Sequence, residues 1–358
     1  MLTKSKCADA VHKNLLPVVA LAAVLAGEIA GSMRVAAAQT SEPIYRGKQI
    51  RMVIGNTTGS SYDTYARVLA QHLTRHIPGN PTIINQNMPV AASMQATNWA
   101  YEQAPKDGSV IAAVYNSVLP EPLYGNPAVR FDPRRFEYVG SISKQQNVCG
   151  TWHTHPVKTL EQAKSQQVIV TASGSASDSA ILPRILNAVL GTKFKVVLGY
   201  ATQQARLAIE RGEADGACGW SWSTLKTTAP EWTRQRLLNI FAQTGAKRQA
   251  DLPDVPLVTE LVTNADDRQA IELLSFQQEM GRPFLMPPGT PGHMVAIMRR
   301  AFDDTMKDPL FLDSARKALM EVEPMTGEEM ELAIRNAFAT PKALLQRAME
   351  LHGGSAQQ

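Results

Sequence analysis

Two short segments rich in serine and threonine carry the side chains best suited to binding a small ligand. The first, Gly55–Ser61, follows a short apolar run at Ile50–Ile54 and precedes apolar residues at helical spacing. The second, Ser173–Asp178, follows the apolar run Val168–Ala172 and also precedes a helical pattern. Apolar runs of this length are typical of buried strands, so each segment is predicted to be a strand-to-helix turn. Hydroxyls and free backbone amides at a helix N-terminus favour an anion, and a small carboxylate fits this chemistry.

Two nucleotide-binding interpretations of the first turn fail on its own residues. A Walker loop requires Lys followed by Ser or Thr after its second glycine, but Gly59 is followed by two serines. A dinucleotide fingerprint requires three glycines, and only Gly55 and Gly59 are present. The simpler alternative is an ordinary turn with a Ser or Asp cap, in which Asp63 supports the helix start and pairs with Arg67. Ligand contact and plain helix cap are equally open at this point.

The chain around these turns alternates between predicted strands and helices. Further apolar runs of strand length lie at Thr82–Ile84, Val110–Tyr115, Tyr138–Ile142, Val148–Trp152, Lys195–Leu198 and Ala214–Trp220. The tail is predicted to be helical, with a capping box at Thr326–Glu329. This alternation favours an α/β fold with parallel strand–helix–strand units, and a length of 358 residues suggests about two domains.

The patterns of several enzyme classes are absent. No Gly-x-Ser-x-Gly segment is present, so an α/β-hydrolase is unsupported. His72 and His76 share a helix face at a spacing that a metal site could use, but the glutamate of a zinc protease motif is missing. A solvent-exposed helix face is the preferred interpretation of these histidines. The sequence therefore predicts no catalytic residue, no metal site and no cofactor.

The N-terminal 38 residues differ in kind from the rest of the chain. Three lysines precede the apolar stretch Leu15–Gly27, and Ala36–Ala38 offers a small-residue cleavage site. Residues 1–38 are therefore predicted to be a signal peptide, and the mature protein is expected in the periplasm. The alternative, a membrane anchor, needs about 20 apolar residues, and this run is shorter.

Charge excludes an obvious nucleic-acid surface. The formal net charge is +4, and residues 1–38 contain four Lys or Arg and two Asp or Glu, so the mature chain carries +4 − 2 = +2. Lysines and arginines are dispersed, without the basic cluster that marks nucleic-acid binding. A soluble exported protein is expected.

Cys149 and Cys218 are the two cysteines that remain after residues 1–38. In an oxidising compartment they could form a disulfide, which closes a long loop and is worth about 4 kcal/mol by the chain-entropy model. Two buried free thiols on strands are an alternative that the sequence leaves open.

A series of short motifs, taken in order, resembles one protein family. The motifs are Ile50–Arg67, Asn85–Pro89, Ala104–Gly108, Ser173–Ser175, Gly199–Tyr200, Arg211–Asp215, Asp251–Pro256 and Pro288–Pro291. Their order and spacing resemble the tripartite tricarboxylate transporter substrate-binding proteins, also called the Bug or TctC family of periplasmic receptors. The resemblance covers nearly all of the mature chain, roughly Tyr45 to Leu351.

The resemblance implies a two-lobed α/β fold. Each lobe of such a periplasmic binding protein, of a type II-like kind, would be a mixed, mostly parallel sheet flanked by helices. The chain would cross the hinge between the lobes twice. Lobe I would hold residues 39–142 and 283–358, and lobe II would hold residues 143–282.

The resemblance also implies a ligand site between the lobes, with contacts on both sides. First-lobe contacts would be Thr57, Thr58, Gly59, Ser60, Ser61, Asp63, Tyr115 and Asn116. Second-lobe contacts would be Ser173, Gly174, Ser175, Ser177 and Tyr200. The implied ligand is a small organic acid and the implied partner is a membrane permease, with a monomeric receptor, no cofactor and no nucleic acid.

The chain departs from the family pattern at two places. The family usually has a glycine-rich Pro-Gly-Ala-Gly-Gly type segment where this chain has Pro89–Ser93, and glycines where this chain has Ala201–Gln203. Glycine permits close backbone approach and positive φ, so side chains at these positions are expected to narrow or reshape the cleft.

The expected function is that of an extracytoplasmic solute-binding protein. It would close on a small organic anion by hinge motion and deliver it to a tripartite tricarboxylate-type transporter. One alternative is a ligand-sensing receptor that docks on a signalling partner. Another is an enzyme on the same two-lobed scaffold, for which Cys149 and Cys218 are the thiols to consider.

Overall fold

Strands and helices alternate along the chain in this computed structural model, which describes residues 44–175, 177–200 and 202–353. The predicted signal peptide, residues 1–38, lies outside the described residues. Within the described ranges, no helix is both long enough and apolar enough to cross a membrane.

The eight strands that the sequence pattern predicts are all present, with bounds within three residues of the predicted ones, and β9, β10 and β11 are additional. The strands are β1 (Gln49–Ile54), β2 (Thr82–Asn87), β3 (Val110–Ala113), β4 (Glu137–Ser141), β5 (Asn147–Trp152), β6 (Val168–Ala172), β7 (Phe194–Leu198), β8 (Gly216–Ser221), β9 (Leu238–Gln243), β10 (Pro283–Met286) and β11 (Met325–Thr326). The helices are α1 (Ser61–Leu73), α2 (Met94–Glu102), α3 (Leu160–Ser165), α4 (Asp178–Leu190), α5 (Thr202–Glu210), α6 (Trp222–Thr228), α7 (Pro230–Arg234), α8 (Val258–Leu261), α9 (Ala265–Ser275), α10 (Gly292–Lys307), α11 (Pro309–Lys317), α12 (Gly327–Phe338) and α13 (Lys342–His352).

The strands form two mixed sheets, each flanked by helices. The first has the order β11-β4-β10-β3-β1-β2, and the second has the order β7-β6-β8-β5-β9. In the first sheet β1 is parallel to β2 and β3, while β10 is antiparallel to β3 and β4. In the second sheet β6 is parallel to β7 and β8, while β5 is antiparallel to β8 and β9. We call the first sheet with its flanking helices lobe I, and the second sheet with its flanking helices lobe II.

The two-lobed α/β fold is therefore confirmed, with one difference in the balance of strand pairs. Antiparallel pairs are at least as numerous as parallel pairs among the described strands. The reason is topological, because β10 enters lobe I from lobe II and runs against β3 and β4, and β5 enters lobe II the same way. The parallel pairs that the sequence pattern predicted come from the alternating runs β1–α1–β2–α2–β3 and β6–α4–β7–α5–β8.

The chain passes between the sheets twice, after Ser141 and before Pro283. The lobe boundaries predicted at 142/143 and 282/283 stay a prediction. The last helix, α13, packs against α4 and α9 of lobe II, where Ala348 and Leu351 are buried.

The central strands of each sheet are buried on both faces, which explains their continuous apolar runs. On β1, Ile50, Met52 and Ile54 face α1 and α10, while Val53 packs on the opposite face with Ala96 of α2. Burying one such side chain is worth about 1.5–3 kcal/mol relative to leaving it in water. The same two-sided burial fixes the positions of the turns that leave β1 and β6.

Cys149 and Cys218 form a disulfide, which settles the alternative that the sequence left open. They lie directly opposite each other on the antiparallel strands β5 and β8. Both are fully buried in the core of lobe II. The bond therefore ties together two adjacent central strands of the second sheet.

Reducing this disulfide is expected to lower the free energy of unfolding by about 4 kcal/mol, because the unfolded chain regains the freedom of a long loop. The two cysteines are 69 residues apart in sequence. Urea unfolding with and without a phosphine reductant, with thiol counting, measures the effect. A Cys149→Ala/Cys218→Ala variant is the matched control and should be insensitive to reductant. An unchanged unfolding free energy in fully reduced wild-type protein would contradict this expectation.

Candidate functional site

The first hydroxyl-rich turn joins β1 to α1. Ser60 is the N-cap of α1, and its Oγ accepts a hydrogen bond from the backbone N–H of Asp63 at 3.2 Å. Gly59 has a φ of +79°, a left-handed conformation that glycine adopts without strain. Thr57, Thr58 and Gly59 are exposed, while Ser61 is buried. The predicted serine cap is therefore confirmed, and the turn presents two exposed hydroxyls at the helix N-terminus.

The side chain of Asp63 binds this turn. Asp63 is 2% exposed and accepts hydrogen bonds from the Gly59 N–H, from Arg67 Nε and from Asn87 Nδ2, at 2.9, 2.9 and 2.8 Å. Burial opposes ionisation, but these hydrogen bonds outweigh it and hold the pKa of Asp63 below its usual value. The predicted Asp63–Arg67 pair is confirmed. That Asp63 contacts the ligand stays a prediction. Its hydrogen bonds within the protein argue against it, because they already occupy the carboxylate.

Ser93 holds the ends of β1 and β3 together. Its Oγ donates to the Gly55 carbonyl at 2.8 Å and accepts from the Tyr115 N–H at 2.9 Å. Ser93 and its neighbours Ala91 and Ala92 have φ values of 72°, 52° and 50°. This left-handed backbone costs a non-glycine residue about 1–2 kcal/mol. The segment therefore keeps a glycine-like backbone at the departure noted in the sequence, and Ser93 adds two hydrogen bonds at the site.

Tyr115 and Asn116 follow β3 and contact the first turn of α1. The ring of Tyr115 meets that of Tyr62 edge-on, with 4.4 Å between centroids. The Tyr62 hydroxyl donates to Asn116 Oδ1 at 2.8 Å, and Asn116 Nδ2 donates to the Gln277 carbonyl at 3.0 Å. Burial raises the pKa of both tyrosines, so their hydroxyls stay neutral donors at physiological pH. Asn116 thus connects lobe I to the segment that returns from lobe II.

The second hydroxyl-rich turn joins β6 to α4. Ser173 and Ser175 are exposed, and Gly174 and Ser177 are partly buried. Ser177 is the N-cap of α4, but its Oγ donates to the Gly174 carbonyl at 2.7 Å and accepts no hydrogen bond from a backbone N–H of the helix. Tyr200 follows β7, where its N–H bonds the Ala172 carbonyl at 3.1 Å. Its side chain packs partly buried against the tryptophan-rich core of lobe II.

The two crossover segments lie side by side at the hinge. The Gln145 N–H donates to the Gln278 carbonyl at 2.6 Å, and the Ile142 N–H donates to the Arg282 carbonyl at 3.3 Å. A Cβ placed on Gly281 would lie 2.7 Å from the Gln145 nitrogen. The chain can therefore cross twice in so little space only with glycine at 281.

Asp178, the first residue of α4, is the centre of a hydrogen-bond network at this hinge. Its carboxylate accepts from Gln145 Nε2, Asn147 Nδ2 and Gln277 Nε2 at 3.0, 2.9 and 3.2 Å. Burial raises the pKa of Asp178 above its usual value, and the three amide donors oppose that shift only in part. Gly219, a bulge residue of β8 with a φ of +74°, allows this close approach, since a Cβ there would meet the Asp178 carbonyl.

The N-termini of α1 and α4 meet at Gln145. Gln145 Oε1 accepts from the Tyr62 hydroxyl at 3.3 Å, while its Nε2 donates to Asp178. The same Oε1 accepts from Arg282 Nη1 at 3.0 Å. The first turns of two 13-residue helices, one from each lobe, therefore contact the same crossover residue through their side chains.

A direct contact between the lobes lies next to this point. Ser61 Oγ of α1 lies 3.3 Å from Thr224 Oγ1 of α6. The first turn therefore reaches lobe II at α6, and whether it shares a ligand with the second turn, Ser173–Ser177, stays a prediction. Thr57, Thr58, Gly174 and Tyr200 likewise stay predictions as ligand contacts.

Sequence reasoning missed five residues of this region, namely Gln145, Asp178, Thr224, Gln277 and Arg282. Asp178 was seen only as the end of the second turn. Arg282 had a usable signal, since it is a charged residue directly before the apolar run Pro283–Met286. The others carry no local pattern, because their role depends on contacts between distant parts of the chain.

The interpretation of His72 and His76 as a solvent-exposed face is wrong. His72 is buried with its Nε2 2.9 Å from Ser314 Oγ, and His76 Nε2 pairs with Asp308 Oδ2 at 2.9 Å. Both are covered because α11 packs across α1.

Asp63→Asn is expected to lower the free energy of unfolding at pH 7 by about 2 kcal/mol, the usual worth of hydrogen bonds to a charged group. The pKa of Asp63 is lowered in the folded state. Its contribution is therefore present above the unfolded pKa of about 3.9 and is lost as pH falls through the lower folded value. Urea unfolding from pH 7 to acid measures both effects, and the two proteins should converge in acid. Asp304→Asn, at an exposed aspartate, is the matched control. Equal stability of Asp63→Asn and wild type at pH 7 would contradict a stabilising role for the hydrogen bonds of Asp63.

Known proteins match this chain over most of its length. A protein of Cupriavidus necator, the "UPF0065 protein in gbd 5'region", is 23% identical over 336 residues, covering 92% of this chain and 96% of the relative. The solved structure of the periplasmic binding protein BugD has a TM-score of 0.65 at 20% identity, covering 87% of this chain and 98% of that chain. MatC from Rhodopseudomonas palustris, with bound malate, has a TM-score of 0.63 at 16% identity, with 85% and 99% covered. A further R. palustris protein, with adipate, has a TM-score of 0.62 at 16% identity, with 84% and 97% covered.

These likenesses agree with the two-lobed fold. The family model described as "Tripartite tricarboxylate transporter family receptor" matches residues 65–349, which include both sheets apart from β1. The chain therefore belongs to the tripartite tricarboxylate transporter receptor family, TctC.

Proposed function

We propose that this protein is an extracytoplasmic solute-binding protein that captures a small carboxylate between its lobes. The observation that carries the proposal is the meeting of the α1 and α4 N-termini at Gln145. Each N-terminus contributes about half a positive charge, with free amides and hydroxyls beside it. Such an arrangement attracts an anion that touches both lobes.

The solved structures of similar fold support the carboxylate class. MatC holds malate and the second R. palustris protein holds adipate, both of which are dicarboxylates. The exposed hydroxyls of Thr57, Thr58, Ser173 and Ser175 are suitable donors to carboxylate oxygens.

Capture would proceed by hinge motion about the crossovers. Two ion pairs that join the lobes away from the hinge are weak enough to break and reform. The pairs Lys226–Glu321 and Lys247–Glu323 are at least partly exposed and are worth about 0–1 kcal/mol each. The hinge itself is held by buried hydrogen bonds, so the lobes would move as rigid units.

The proposed partner is the membrane permease of a tripartite tricarboxylate-type transporter, and the proposed location is the periplasm. Family membership supports both, and the predicted signal peptide supports the location. Catalysis is not part of the proposal. The two thiols that an enzyme could have used are joined in the Cys149–Cys218 disulfide.

A carboxylate ligand is expected to raise the melting temperature. Binding at 100 times Kd stabilises the folded state by about 2.7 kcal/mol. For a protein of this size that corresponds to a rise of about 4 °C, at about 2.1 cal/mol/K per residue. A thermal-shift panel of acetate, malate, adipate and citrate tests this, with malamide as the uncharged control for malate. No shift with any of the four acids, or an equal shift with malamide, would contradict the carboxylate assignment.

A further inference from the structure

Arg282 is a fully buried arginine without a carboxylate partner. It is 1% exposed and lies at the hinge, directly before β10. Among the residues that the structure describes, no acidic side chain forms an ion pair with it. Buried arginines are normally paired, because taking a charge out of water is costly unless an opposite charge replaces the lost solvent.

One edge of the Arg282 guanidinium lacks strong partners. Nη1 donates to Gln145 Oε1 at 3.0 Å and to the Gly281 carbonyl at 2.7 Å. Nη2 reaches only Ser223 Oγ and Thr224 Oγ1, each at 3.4 Å. Nε is buried and has no hydrogen-bond partner among the described residues. Nε and Nη2 form the side-on edge of the guanidinium, whose two parallel N–H bonds match the oxygens of a carboxylate.

The surroundings of that edge are suited to an anion. The hydroxyls of Ser223 and Thr224 come from lobe II, and the hydroxyl of Ser61 comes from the N-terminus of α1 in lobe I. Tyr62 and Tyr65 cover the guanidinium, with their ring centroids 4.3 and 4.9 Å from its carbon. Aromatic faces hold a guanidinium in place without neutralising its charge.

The acidic groups that share neighbours with Arg282 are bound elsewhere. Asp178 is reached only through Gln145 and is held by three amides. Glu321, whose backbone contacts the Tyr65 hydroxyl, pairs its carboxylate with Lys226. The positive charge of Arg282 is therefore directed toward the hydroxyls between the lobes.

We infer that Arg282 is the residue that recognises the charge of the solute. A carboxylate of the ligand binds side-on to Nε and Nη2 and takes hydrogen bonds from Ser61, Ser223 and Thr224, replacing the Ser61–Thr224 contact when the lobes reclose. This inference rests on the proposed carboxylate-binding function and deepens it. It places charge recognition at the α1–α6 contact and leaves the turn Ser173–Ser177 to hold the rest of the ligand.

The test is isothermal titration calorimetry with malate, adipate and citrate on wild type and three variants. Arg282→Lys keeps the charge but loses the two-bond edge, and about tenfold weaker binding is expected. Thr224→Val keeps the volume but loses one donor, and about three- to tenfold weaker binding is expected. Arg300→Lys, at an exposed arginine of lobe I, is the matched control and should bind like wild type.

The melting temperature of each unliganded variant separates recognition from folding. If Arg282→Lys is destabilised, the affinity of Thr224→Val distinguishes a loss of recognition from a loss of folding. Exchanging a partly exposed hydroxyl for a methyl group changes binding without a large core defect. Wild-type affinity in both Arg282→Lys and Thr224→Val would overturn the inference while leaving the carboxylate receptor intact. If wild type binds none of the three acids, the proposed function fails and the inference fails with it.

Discussion

The constraint on which this structure depends is the close packing of the two chain crossings at the hinge. Both crossings run between the same two sheets, and they are near enough that residue 281 cannot carry a side chain. This packing places Gln145 and Arg282 next to each other, below the first turns of α1 and α4. Tyr62, Asn116 and Asp178 are each hydrogen-bonded there by a residue of a crossing. Hinge rigidity and the proposed ligand recognition therefore depend on the same few side chains.

The local parts of this arrangement are readable from sequence. Ser60 with its glycine neighbour, the Asp63–Arg67 pair and the Thr326 capping box depend on residues within one turn, and all three form as predicted. The two strand-to-helix turns also form where the change from apolar run to helical spacing predicts them. The parts that could not be read depend on distant pairs. Antiparallel β10 and the contact between Ser61 and Thr224 follow from how the chain returns, which no local pattern encodes.

The departure from the family pattern at Pro89–Ser93 shows that residues other than glycine can adopt a left-handed backbone in this segment. Ala91, Ala92 and Ser93 keep positive φ in a segment that is usually glycine-rich in the family. The strain is offset in part by Ser93, which binds both strand ends beside the cleft. Side chains thus occupy positions that glycines would leave open, and they are expected to reshape the proposed ligand site. This is why fold and family follow from sequence here more readily than the identity of the solute.

The central claim is that a carboxylate draws the two lobes together about this hinge. The most direct measurement is the distance between spin labels placed one in each lobe, at the exposed positions Lys106 and Lys195, with the native cysteines protected as a disulfide. The account predicts a broad distance distribution without ligand, and a shifted, narrower one at a carboxylate concentration that calorimetry shows to be saturating. An identical distribution in the presence of bound carboxylate would contradict it.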